Sequence, residues 1–98
     1  MKPYIAIVHK DGASAYGITF PDAPGCFAAA DDIDDLFASA SEALELWATG
    51  LAESGQAIPP ARDFSVVSAD PEWRDSFADA VFVLAAPPPG ESPARRAA

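Results

Sequence analysis

The stretch FPDAPGCFAAADDIDDLFASASEALELWATGLAESG, residues 20–55, joins a proline-rich loop to a long acidic segment with regular apolar spacing. Pro21 and Pro24 fix their own φ angles, and Gly25 permits a sharp bend, so the stretch is predicted to begin with a rigid loop. The prolines, the single cysteine and the clustered acids could together form a catalytic loop, a metal site or a docking surface. The flanking sequence helps to decide between these three.

The second part of the stretch predicts one long amphipathic helix. Apolar residues recur at steps of three and four, which places them on one face: Ile33, Leu36, Phe37, Ala40, Leu44, Trp47 and Leu51. Asp31 or Asp32 is expected to cap the start, and Gly55 to end the helix in the left-handed conformation after about Ser54. The opposite face carries acids without a lysine or arginine to pair with them, which is typical of a binding surface.

Short apolar runs on both sides of the stretch predict a sheet. Residues 4–9 are expected to form a buried strand that an Asp-Gly turn joins to an alternating strand at 15–20. Residues 26–30 and 80–85 are expected to form a third and a fourth strand, with a short helical turn at 70–73 in an otherwise irregular segment. The predicted fold class is α+β with two layers: an antiparallel three-stranded sheet plus a returning fourth strand, packed on one long helix in the order β-β-β-α-β.

Length and composition predict one small domain. The 98 residues are 50% apolar, which suits a packed interior, and we assign residues 1–86 to this domain. The proline-rich tail at 87–98 is expected to be disordered, as a possible linker to a DNA-binding domain outside this sequence. The apolar run at 4–9 is too short for a signal peptide or a membrane span, and one cysteine cannot form an internal disulfide. The expected location is therefore the cytoplasm.

The charge of the chain is strongly negative and unevenly distributed. The formal net charge is −9, and no lysine or arginine occurs between Asp11 and Ala61. An acidic surface of this kind repels phosphate backbones, which argues against direct nucleic-acid binding, and it attracts a basic partner. Solubility alone is the alternative explanation for the acids, and charge considered by itself favours it.

Three motifs give the chain a family resemblance. The segments AYGITFPDAPGC (15–26), EALELW (42–47) and GLAESGQAIPP (50–60) stand in the order and spacing of the HicB antitoxin family. Over residues 4–60 the chain resembles the N-terminal domain of that family. The resemblance implies a partial RNase H-like or dsRNA-binding-like fold that forms homo-oligomers and occludes a HicA-like toxin. That toxin would be a small basic ribonuclease with a catalytic histidine. Many members carry a C-terminal DNA-binding domain, and the tail of this sequence has no such pattern, so operator binding is not assigned to these residues.

Catalysis is not expected from this sequence. The first strand has no acid, and the aspartates at 31, 32, 34 and 35 fan around a helix start, so few can converge on one metal ion. We therefore predict no catalytic residue, no metal ligand, no cofactor and no membrane contact. His9 is expected to be a half-exposed strand residue, and Cys26 a small buried residue whose pKa is raised by acidic surroundings. A residual metal-dependent nuclease and a regulatory module without a toxin are the alternatives.

Six acidic residues are the candidates for contact with the toxin: Asp22, Asp31, Asp32, Asp35, Glu42 and Glu45. Asp22 lies between two prolines, where its side chain either bonds backbone amides of its own turn or presents a fixed carboxylate to a cation of the partner. The other five lie at the start of the predicted helix or along it. Trp47 and Trp73 are expected to be core residues.

Overall fold

The computed structural model describes residues 2–10, 12 and 15–90. These residues form, in chain order, β1 (Tyr4–Lys10), β2 (Tyr16–Thr19), β3 (Phe27–Ala30), a 3-10 turn (Ile33–Asp35), α1 (Leu36–Glu53), α2 (Phe64–Ala69), α3 (Arg74–Ala78) and β4 (Phe82–Ala86). The four predicted strands and the long helix are present, which confirms the α+β class. Within this part of the chain, no helix is both long and apolar enough to cross a bilayer.

The four strands form one antiparallel sheet in the order β3-β2-β1-β4. β1 and β2 make the predicted hairpin, with Val8 opposite Ile18, and Gly12 in the connecting turn has a φ of +61°. β4 pairs with the other side of β1, placing Phe82 opposite Val8. The first strand is therefore interior to the sheet, and this position explains why its sequence is apolar on both faces.

The main core lies between one face of the sheet and α1. Alternate residues of β1 point to this face, and α1 supplies residues at four-residue steps: Tyr4, Ala6, Val8, Leu36, Ala40 and Leu44. The Tyr4 ring also meets the Trp47 ring edge-on, with centroids 5.9 Å apart. Because such interiors are close-packed, Leu44→Ala should cost about 2–5 kcal/mol of folding free energy.

The two short helices cover part of the other face of the sheet. Ile5 and Ile7 point to this side and are buried, as is Val67 of α2. A ring nitrogen of His9 lies 2.8 Å from the carbonyl oxygen of Ser76 in α3. The sequence analysis predicted an irregular segment in place of α2 and α3, and this prediction was wrong. Helices of six and five residues are too short to show an apolar period in the sequence. The structure thus has a thinner third layer, formed by α2 and α3, in addition to the two predicted layers of sheet and long helix.

The start of α1 differs from the prediction. Asp32 precedes the 3-10 turn in an extended conformation, and its side chain makes no capping hydrogen bond. The N-cap position of α1 is Asp35, whose side chain makes no capping bond either. Ile33 is exposed because a 3-10 turn has about three residues per turn and falls out of phase with an α-helix. Phe37 is exposed as well, since the residue before it is the one that faces the core.

The end of α1 agrees with the prediction. Gly55 has a φ of +72°, and its N–H donates to the carbonyl of Ala52 at 3.1 Å. The N–H of Gln56 donates to the carbonyl of Leu51 at 2.9 Å. These two bonds define a Schellman motif, which satisfies carbonyl groups at the helix end and reverses the chain.

The proposed tail falls partly outside the described residues. Positions 91–98 are not among them, whereas residues 87–90 are described. Pro88 is buried, and the N–H of Gly90 donates to a carboxylate oxygen of Glu45 at 2.6 Å. β4 brings the prolines close to α1, where their apolar rings can be buried.

Candidate partner-binding surface

The proline-rich loop at residues 20–26 is held by consecutive backbone turns. The N–H of Ala23 donates to the carbonyl of Phe20 at 3.2 Å, and the N–H of Cys26 donates to the carbonyl of Ala23 at 3.0 Å. Gly25 has a φ of +83°, a conformation that side-chain-bearing residues rarely adopt. The loop therefore has a defined shape where it leads into β3.

Two aromatic side chains of the core hold backbone segments in place: one bonds to this loop and the other to the segment that follows α1. The indole N–H of Trp47 donates to the carbonyl of Pro24 at 3.0 Å. The hydroxyl of Tyr4 donates to the carbonyl of Pro59, and burial together with the charge of Asp22 raises the pKa of this hydroxyl. Trp47 is half-buried, so its expected core role is confirmed for the ring, while its N–H serves the loop.

Asp22, Arg62 and Asp70 form an ionic group that we call the Arg62 cluster. The carboxylate of Asp22 accepts hydrogen bonds from the backbone N–H and from Nε of Arg62, both at 2.8 Å. Nη1 of Arg62 donates to the carboxylate of Asp70 at 3.1 Å. The Asp22 side chain is only 8% exposed. Its carboxylate therefore binds a cation and an amide of its own chain, distant in sequence, instead of the amides of its own turn.

The ionisation of the Arg62 cluster is strengthened by its contacts. Hydrogen bonds to Asp22 and Asp70 raise the pKa of the Arg62 guanidinium. The backbone N–H of Glu72, which donates to the Asp70 carboxylate at 3.0 Å, and the guanidinium together lower the pKa of Asp70. Charged partners therefore tie the proline-rich loop to the segments on both sides of α2.

The two potentially reactive side chains have structural roles. Cys26 is buried, as predicted, and burial raises its pKa to about 11, so the thiol is protonated at neutral pH. The cause is loss of solvation, and not the acidic surroundings that the sequence suggested. His9 is half-buried, and the nitrogen facing Ser76 must carry a proton because a carbonyl oxygen can only accept.

The six candidate acids fall into different settings. Asp31, Asp32 and Asp35 are exposed around the N-terminal end of α1, and Glu42 is exposed about two turns further along. Glu45 is half-buried and accepts the hydrogen bond from Gly90. Asp22, by contrast, belongs to the Arg62 cluster. Among the described residues, no three His, Cys, Asp or Glu side chains are grouped so as to hold a metal ion.

Two exposed apolar residues near this acidic surface were not predicted. Phe27 is 70% exposed and Leu46 is 75% exposed. Both line a groove of about 320 Å³ between the proline-rich loop and α1, which we call the Leu46 groove: Gly25, Cys26, Phe27, Ala43, Leu46 and Trp47. The helical period could have revealed Leu46, because this residue lies off the apolar face of α1.

A comparison with known protein families identifies the family of this chain. Residues 4–87 match the HicB-like antitoxin family of bacterial toxin–antitoxin systems. This match covers most of the chain, which therefore belongs to that family.

Solved structures agree with the family assignment. The chain is 27% identical to a chain of a HicA3 and HicB3 toxin–antitoxin complex, with a TM-score of 0.63 over 74% of this chain and 85% of that one. It is 31% identical to the antitoxin HicB of Burkholderia pseudomallei, with a TM-score of 0.67 over 86% and 62% of the two chains. The N-terminal domain of that antitoxin is 32% identical, with a TM-score of 0.64 over 89% and 99%.

A relative from a phage is longer than this chain. It is a 14.9-kDa protein in the rep-hol intergenic region of Haemophilus phage HP1 (strain HP1c1), 29% identical over 68 residues. The match covers 69% of this chain and 51% of the relative. The chain thus spans about half of the phage protein and 62% of the Burkholderia antitoxin.

Proposed function

We propose that this chain is the toxin-binding domain of an antitoxin that neutralises a HicA-like small basic ribonuclease by covering its RNA-binding or catalytic surface. The observation that carries this proposal is the family match over residues 4–87. The similarity to a chain of a HicA3 and HicB3 complex supports the choice of toxin. Binding would take place in the cytoplasm, where the toxin meets its RNA.

The exposed acids supply a mechanism for occlusion. A ribonuclease must hold RNA phosphates with cationic side chains, and carboxylates on a protein partner can occupy the same cations. Asp31, Asp32, Asp35 and Glu42 are exposed and suited to this role. Glu45 lies beside them on α1 and accepts a hydrogen bond from Gly90. We leave Asp22 out of the contact set, because its carboxylate is bound to Arg62.

We further propose that the domain inhibits without catalysis of its own and without contacting nucleic acid. A phosphodiesterase of the two-metal kind requires carboxylates that converge from separate elements. The exposed aspartates near α1 instead follow one another along a single turn. Their negative charge would also repel an RNA substrate.

A binding and rescue experiment tests this function. We expect the neighbouring gene to encode a HicA-like toxin, which is purified with its catalytic histidine replaced and titrated with the full chain in low salt. We expect a stable complex, and in cells we expect co-expression of this chain to restore growth that the active toxin arrests. Failure of two folded proteins to bind at low salt, together with failure to restore growth, would contradict the proposal. RNA cleavage by this chain alone would contradict its inhibitory mechanism.

A further inference from the structure

The Leu46 groove presents two large apolar side chains that the fold does not use. Phe27 and Leu46 are the two most exposed large apolar residues in the described part of the chain. Leu46 lies two positions from Leu44, which is fully buried, so the helix turns Leu46 away from the core. Neighbouring exposed apolar side chains on a small protein commonly mark a binding site.

The rim of the Leu46 groove is acidic. Glu42 is exposed one helical turn before Leu46 and therefore flanks it on the surface of α1. On the other side of Phe27 lies a second groove of about 460 Å³, lined in part by the exposed Glu72 and by Arg62. The charge of Arg62 is matched by Asp22 and Asp70. The described residues that line the Leu46 groove itself carry no charge.

The walls of the Leu46 groove are held in place before any partner binds. The Trp47 indole bonds to Pro24, and the thiol of Cys26 is buried beneath the surface. The Arg62 cluster holds the proline-rich loop from the other side through Asp22. A fixed groove loses little conformational freedom when a partner binds, which favours affinity.

We propose that the Leu46 groove is the apolar centre of the toxin contact, with Phe27 and Leu46 buried by an apolar patch that basic residues surround on the toxin. This inference rests on the proposed function and assigns it a site. The occupant is a basic protein because the apolar pair is flanked by carboxylates, which would face lysines or arginines across the interface. The acids at 31, 32, 35 and 42 then form a polar rim, and the apolar pair supplies most of the affinity.

Two matched substitutions test the site. Leu46→Lys replaces an exposed apolar residue by a cation, and Val66→Lys makes the same change on α2, where Val66 is 50% exposed. We expect Leu46→Lys to weaken binding of the histidine-replaced toxin about a hundredfold, and Phe27→Ala about tenfold. Val66→Lys should change it less than about threefold. All three replaced residues are exposed, so circular dichroism and thermal unfolding should show a folded protein in each case.

A measurement on the wild-type chain gives an independent readout. In methyl NMR spectra of the full chain, the Leu46 signals should shift or broaden when the toxin is added, while the Val66 signals stay in place. If the wild type binds and Leu46→Lys binds equally well, the groove is not the site, although the proposed function stands. If Leu46→Lys changes self-association and leaves toxin binding intact, a second copy is the occupant and the inference is wrong. If the wild type does not bind the toxin, both proposals fail.

Discussion

Arg62 connects segments that are far apart in the sequence. Its replacement should therefore weaken the contact between the proline-rich loop and the segments on both sides of α2. Arg62→Ala leaves the Asp22 carboxylate, which is 8% exposed, without its cation. Because Arg62 itself is 38% exposed, we expect a moderate loss of about 1–3 kcal/mol in the free energy of unfolding. Urea unfolding followed by tryptophan fluorescence measures this loss.

The control for Arg62 is Arg74, an exposed arginine in α3. Arg74→Ala should change the free energy of unfolding by less than about 0.5 kcal/mol. Equal effects of the two substitutions would show that the Arg62 cluster does not contribute to stability.

Asp70 gives the stability of the fold a defined pH dependence. Its pKa is lower in the folded than in the unfolded state, so the charged carboxylate stabilises the fold above the unfolded value of about 3.9. This contribution is lost as the pH falls through the folded pKa. The difference in unfolding free energy between wild type and Asp70→Asn should therefore be present at pH 7 and shrink as the pH falls below the unfolded value and through the lower folded pKa.

Comparing wild type with Asp70→Asn removes a competing effect of pH. The chain carries a net charge of −9, and acidification also relieves repulsion among its acids. That relief is common to both proteins and cancels in the difference. A difference that stays constant from pH 7 to pH 3 would exclude the proposed contribution of the Asp70 carboxylate.

For single residues, the local sequence predicted which side chains are buried better than it predicted which side chains bond to each other. Burial of Cys26 and of Leu36, Ala40 and Leu44 in α1 could be predicted, because apolar spacing reports directly on which side of a helix faces the core. The bond between Asp22 and Arg62 could not, because no local pattern indicates a pairing across 40 positions. Asp22 was predicted either to bond amides of its own turn or to bind a cation of the partner, and the cation that it binds in the structure is Arg62 of the same chain.

Among the helices, the length of each helix decided whether it could be predicted from the sequence. α1 has 18 residues, enough for several repeats of the apolar period, and its end is marked by Gly55. The strands were predicted from alternation and from the turn residues between them. α2 and α3 together have 11 residues and carry no clear period, so the layer they form was missed. The Leu46 groove was missed for a different reason, since it depends on how the loop packs against α1.

β4 is an edge strand of the sheet. The family resemblance implies self-association, and we propose that copies of the chain associate through this edge. Residues 80–89 contain no charged side chain, which is unusual in a chain of net charge −9. Two strongly acidic copies can approach most closely where acids are absent, and an uncharged sheet edge favours strand pairing. Val83→Lys, at a residue that is 42% exposed, should therefore lower the self-association constant at least about tenfold.

Sedimentation velocity over a range of protein concentrations measures this change. Val66→Lys adds the same charge on α2, outside β4, and serves as the control because it alters the net charge equally. A wild type that is monomeric at every concentration, or equal effects of the two substitutions, would contradict association through β4.

Across the described part of the molecule, three cationic side chains have partners close by, whereas the acids of α1 have no lysine or arginine on the same helix. Lys2 pairs with Asp63 at 2.7 Å, Lys10 lies 4.7 Å from the centre of the Tyr16 ring, and Arg62 belongs to its cluster. No lysine or arginine occurs on α1. The acidic surface around this helix should therefore attract a cationic partner over a distance comparable with the Debye length.

Salt should weaken the toxin complex mainly through the association rate. Between about 0.05 and 0.5 M NaCl, we expect the association rate constant to fall about tenfold or more, with a smaller change in the dissociation rate. Glu42→Gln should lower the association rate constant about two- to threefold at low salt and much less at high salt. Stopped-flow mixing with the histidine-replaced toxin measures both. Binding that does not respond to salt would remove charge complementarity from the mechanism and leave occlusion by shape.

The pairing of β1 with β4 has a consequence for synthesis. β1 leaves the ribosome first among the strands and β4 last, yet the two are hydrogen-bonded neighbours in the sheet. During translation the hairpin and α1 can form early, but one edge of β1 stays open until Phe82–Ala86 has emerged. The sheet of a nascent chain is therefore incomplete until these residues have emerged. Polypeptides released before that strand is made should be removed by proteases instead of accumulating.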